Sequence, residues 1–178
     1  MLLDHQLVAR IKAEIMQFIT VEVERFLLSH PDKTFYAFAF DTNAEYAELN
    51  LCFNTELDFQ RCLTYYQSGK WATSYQNTEA IQELKFNTGD WEYQCVSTLY
   101  VLSEGELQAI QQRLPEDDFS EWEAIVGQIR LIFSECLQLF TQTEVYQAIP
   151  KTDDFIAFSI DHDEDVADML ADRVECAE

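Results

Sequence analysis

The chain has 178 residues, with 33 acidic against 11 basic and a formal net charge of -22 at pH 7, on an ordinary globular composition of 48% hydrophobic and 13% aromatic residues. That aromatic content excludes an acidic disordered tail. So strong a field of one sign excludes binding to nucleic-acid phosphates or anionic membranes and favours basic surfaces.

The length suits one acidic domain over residues 1–178. The first residues carry no basic segment followed by a continuous apolar core, so no signal peptide is expected. Charge or amide residues break every long apolar stretch, so no membrane span is expected either. Five cysteines stand at wide spacings with no C-x-x-C pair. This pattern fits neither a zinc knuckle nor a thioredoxin-type motif, and it points to a reduced, cytoplasmic setting.

In chain order, Leu7, Ile11, Ile15, Phe18, Ile19, Phe26 and Leu27 recur near helical spacing. Asp4 is placed to cap this helix, and Ser29-His30-Pro31 stops it. Two strands follow as a hairpin, Thr34 to Phe40 and Glu48 to Phe53, joined by a turn through Asp41–Glu45. Strict alternation puts Tyr36, Phe38 and Phe40 on one face and Phe35, Ala37 and Ala39 on the other. Asn54 or Thr55 caps the next helix, which runs through Tyr66. Ala80 to Phe86 reads as a helical turn and a short strand, ended by the turn Asn87-Thr88-Gly89-Asp90. Val96 to Leu114 fits either a strand running into a helix or one helix. Within it, Ser103-x-x-Glu106 is a capping box, and Ser120-x-x-Glu123 is a second one opening a strongly amphipathic helix to Phe140. Asp154 to Ile160 alternates as a strand, and a short acidic helix starts near Asp163. The order α-β-β-α-(β)-α-α-β-α predicts an α+β fold, a small mostly antiparallel sheet packed by helices.

No nucleophile elbow, phosphate-cradling glycine loop or metal-ligand spacing is present, so no catalytic residue, metal or cofactor is assigned. Asp161-His162-Asp163-Glu164-Asp165 begins like a calcium loop. Val166 stands where that loop needs glycine, and Asp172 where it needs its closing glutamate. An acidic helix start is the simpler reading. Trp71 and Trp91 each follow a glycine by two residues in polar context and read as sheet-capping core or as aromatic anchors of an interface. Trp122 lies on an apolar helix face.

The charge is uneven. Glu104, Glu106, Glu116, Asp117, Asp118, Glu121 and Glu123 face Arg113 alone in one stretch, and residues 151–178 hold ten acids against Lys151 and Arg173. The expectation is that the two stretches converge on one anionic surface.

The stretches Thr34–Phe40, Leu49–Thr55, Gly89–Tyr93 and Phe155–Asp161 resemble a bacterial domain-of-unknown-function family of single-domain proteins. Some members of such families are similar to immunity proteins encoded beside secreted polymorphic toxins. The resemblance supplies no active-site residues. Its implication, joined to the charge, is a cytoplasmic acidic binding protein that neutralises a cognate toxin through a basic toxin surface. The residues assigned to that contact are Glu116, Asp117, Asp118, Glu121, Asp161, Asp163, Glu164 and Asp165, with Trp71 and Trp91 as anchors. Two alternatives stand beside it: a hydrolytic or metal-assisted enzyme around Asp161, His162 and Asp163, and an acidic scaffold.

Overall fold

Asp4 accepts hydrogen bonds from the backbone N–H groups of Gln6 and Leu7 and so starts α1, His5–Ser29. Ile11, Ile15, Ile19 and Val23 repeat at four-residue intervals and are fully buried, each burial stabilising by about 1.5–3 kcal/mol. In the computed structural model, residues 3–68, 70–71, 73–114, 119–162, 164–167 and 169 are described.

The stripe of α1 packs on a four-stranded sheet. Its strands are β1 (Phe35–Asn43), β2 (Glu48–Asn54), β3 (Tyr93–Tyr100) and β4 (Lys151–Asp161), in the spatial order β3-β2-β1-β4. The β1–β2 and β2–β3 pairings are antiparallel, and β1–β4 is parallel. The sheet is therefore mostly antiparallel, as expected. A parallel partner needs a crossover. It is made here by α4 (Glu104–Gln111), α5 (Ser120–Phe140) and α6 (Glu144–Gln147), which lead from one sheet edge to the other.

The helices form a layer on each face. α1 and α5 bury Phe35, Phe38, Phe40, Leu49, Leu51 and Phe53 on one face, with Ile110 of α4 in the same core. The opposite face carries Tyr36, Ala37, Ala39, Cys52, Phe158 and Ile160. It is covered by α2 (Glu56–Ser68) and α3 (Thr78–Phe86) through Phe59, Leu84 and Phe86.

Three details correct the sequence reading. Phe35 and Tyr36 exchange faces, because the β1–β4 register shifts between Phe35 and Ala37 and interrupts the period of two. The segment after Ala80 stays helical to Phe86, and the third strand comes later, at Tyr93. Ser103 and Glu106 do form their capping box. At α5, by contrast, Ser120 is already helical and the cap position falls to Phe119, which gives no side-chain cap. The start of the closing helix shows in Asp165, whose backbone and side chain accept from Met169 and Ala167; its remainder lies outside the described residues.

Candidate docking face

On the α2/α3 layer, aromatic and acidic side chains reach solvent together. In α2, Tyr65 and Tyr66 are adjacent, so a helix burying one must present the other. Tyr65 is 71% exposed, and Tyr66 turns inward to donate to Asp90 at 2.6 Å. That bond, helped by partial burial, holds the Tyr66 phenol up at about 12. Tyr75 continues the row. Ring centroids are 5.5 Å apart for Tyr65–Tyr66 and 5.0 Å for Tyr66–Tyr75. Gln67 fixes the loop that carries Tyr75 by donating to its carbonyl at 2.8 Å.

Tyr75 also borders a groove of about 440 Å³ between α3 and the segment that follows β4. Glu83 and Asn87 stand on the α3 side, and His162, Glu164 and Asp165 on the other. Leu84 and Val166 supply the apolar part of its lining. Glu164 and Asp165 are exposed yet locally held: Glu164 accepts from the Asp161 N–H at 2.9 Å, and Asp165 from the Ala167 N–H at 2.9 Å. Asn87 bonds Asp90 at 2.8 Å, and Thr88 bonds Asp41 of β1 at 2.6 Å, so the groove wall is tied to the sheet. Such an arrangement suits a cationic side chain, which would lay its stem on Leu84 and Val166 and its head among carboxylates.

The two tryptophans separate. Trp71 lies in the α2–α3 loop, half exposed, with the Lys70 ammonium 4.6 Å from its ring centre. Its carbonyl accepts from Ser74 in the turn that leads to Tyr75. Trp91 is core. It is 3% exposed, meets Phe158 edge-on at 5.7 Å and Tyr36 at 6.0 Å, and donates its indole N–H to the Lys85 carbonyl at 2.9 Å. Ala37 and Ala39 leave the space these rings fill. Trp91 therefore drops out of the partner-facing set.

Asp161 drops out too. It is 4% exposed. One carboxylate oxygen accepts from the Thr42 hydroxyl at 3.1 Å and the Ala44 N–H at 3.0 Å; the other accepts from Arg130 of α5 at 3.1 Å. The side chain pins the β1–β2 turn, which ends in Ala47 at φ 52°, to the end of β4 and to α5. An alternative site led by Asp161 loses its first carboxylate to this structural duty.

Among the described residues, the other assigned acids do not share one face. Glu121 is half buried in the first turn of α5, on the α1 side, and Glu164 and Asp165 border the groove beside α3. Glu116, Asp117, Asp118 and Asp163 lie outside the described residues. The expected convergence of two acidic stretches is thus replaced, among the described residues, by acids on two layers. Among those residues, no group of three His, Cys, Asp or Glu side chains is placed to hold a metal, and no helix is long and apolar enough to cross a membrane. Sequence reasoning missed Tyr65, Tyr75, Glu83 and Asn87. The Tyr65-Tyr66 doublet was the one available signal.

The family model described as domain of unknown function DUF4303 matches residues 15–175, and the chain belongs to that family. No curated protein and no solved structure matches the chain.

Proposed function

We propose that this DUF4303 member is an acidic binding protein that receives a basic segment of a protein partner on its α2/α3 face. The observation that carries the reading is the row Tyr65–Tyr66–Tyr75 running into a groove bordered by Glu83, Glu164 and Asp165. Tyrosine offers large contact area at small entropic cost, and tyrosine, tryptophan and arginine dominate binding energy at interfaces. The net charge of -22 steers a cationic partner from a distance. The finer form of the proposal is an immunity protein for a toxin encoded beside it. A toxin with a basic, phosphate-binding cleft would supply the cationic side chains the groove suits.

The test is calorimetric titration against the product of the adjacent gene at low and at moderate salt. Binding is expected to weaken as salt rises. Glu83→Lys is expected to raise Kd by about tenfold or more, equivalent to roughly 1.4 kcal/mol. Binding that ignores both salt and Glu83→Lys would refute the assignment of this face. No binding at low salt would refute the toxin form.

A further inference from the structure

The β2–β3 ladder is interrupted at one place. Leu51 pairs with Ser97 and Phe53 with Tyr93, so three residues of β3, Gln94 to Val96, stand opposite Cys52 alone. The middle one is Cys95, at φ 47°. A left-handed backbone is uncommon for a residue with a Cβ, and here it turns the Cys95 N–H onto the Cys52 sulfur at 3.2 Å. Cys52 is buried and Cys95 is exposed on the edge strand. Both are free thiols.

We propose that Cys52 and Cys95 are a dithiol pair that closes to a reversible disulfide when a low-molecular-weight disulfide such as oxidised glutathione is present. The 3.2 Å contact already seats the Cys52 sulfur against the backbone that carries the Cys95 side chain, within the short reach that a disulfide requires. The bulge replaces regular pairing at this point, so closure does not have to break a regular stretch of ladder.

The order of events follows from exposure. Burial pushes both thiols up, and Cys52 is the more deeply buried. Cys95 therefore loses its proton to solvent first and attacks one sulfur of oxidised glutathione. A protein–glutathione disulfide forms, and one glutathione thiolate leaves and takes up a proton. The Cys52 thiol then gives up its proton, and its sulfur attacks the Cys95 sulfur. The Cys52–Cys95 bond forms and the second glutathione leaves as a thiol. The protein loses two electrons and two protons, and the small disulfide gains them. Closure would staple edge strand β3 to β2. Raised thiol pKa values make the reaction slow near neutrality and faster in mild alkali.

The test is to incubate the native protein with excess oxidised glutathione in mild alkali, block the remaining thiols and map peptides by mass spectrometry without reduction. The expected result is a cross-linked pair carrying Cys52 and Cys95, lighter by two hydrogens, that disappears on reduction. Cys52→Ser is expected to stop at a stable glutathione adduct on Cys95. The proposal is overturned if wild-type Cys95 stays unmodified, keeps its glutathione, or links to Cys62, Cys136 or Cys176 instead. The wild-type map alone decides this should the variant fail to fold.

Discussion

Replacing Asp161 with alanine removes the acceptor for three donors at once: the Thr42 hydroxyl, the Ala44 N–H and the Arg130 guanidinium. The Ala44 N–H and the Thr42 hydroxyl are buried, and leaving such a donor unsatisfied costs about 1–3 kcal/mol. Thr42 keeps an alternative acceptor in the Ile160 carbonyl at 3.3 Å, so its share falls at the low end. The Arg130 side chain is 37% exposed and recovers water when the pair is broken, so that contact adds little. The total is about 3 kcal/mol, a large part of the roughly 5–15 kcal/mol that holds a domain together. In a chain of this length it corresponds to a fall in Tm of about 6–12 °C. Asp161→Asn keeps one acceptor oxygen for the Ala44 N–H and should lose about half as much. Arg130→Ala takes the cation from the buried Asp161 carboxylate but leaves its two other donors, and should lose about 1.5–3 kcal/mol. Urea unfolding of the three variants, followed by tryptophan fluorescence, gives the ranking. If Asp161→Ala unfolds within about 0.5 kcal/mol of the wild type, the carboxylate is not a structural pin and the reasoning fails.

Two further outcomes follow from the contrast of buried and exposed aromatics. Trp91→Ala is expected to destabilise by about 3–5 kcal/mol, because it empties the space above Ala37 and Ala39, whereas Trp71→Ala should stay within about 0.5 kcal/mol; equal losses in chemical denaturation would contradict the division. Tyr66 has a folded-state pKa of about 12 against an ordinary value of 10.0. Its contribution is therefore complete below pH 10 and is lost as pH rises through 12, visible as a high-pH phenolate step in the ultraviolet spectrum that Asp90→Asn moves downward.

The layers were legible wherever local physics decides them. The four-residue spacing of Ile11, Ile15 and Ile19, the cap at Asp4 and the capping box at Ser103 are built from neighbours in sequence. The parallel β1–β4 pairing joins residues more than a hundred positions apart and leaves no local mark beyond the alternation of β4 itself. The exchange of Phe35 and Tyr36 has the same origin, since a register shift depends on the partner strand. Trp71 and Trp91 sit in similar local contexts. Only the distant Phe158 and the small side chains of β1 make one of them core. The acidic run after β4 was visible as charge, but the burial of Asp161 depends on Arg130 and Thr42. The groove was invisible for a similar reason: its walls come from α3 and from the chain after β4, some eighty residues later.

The central claim is one of sidedness, and a comparison of binding by paired variants tests it most directly. Glu164→Lys and Trp71→Ala alter the α2/α3 side, and Glu121→Lys alters the α5 side by the same charge step as Glu164→Lys. Titrated with the adjacent gene's product at one salt concentration, the first two should each raise Kd by about tenfold or more, with Glu121→Lys within about twofold of wild type. A loss with Glu121→Lys equal to or greater than that with Glu164→Lys would place the partner on the other layer and contradict the account.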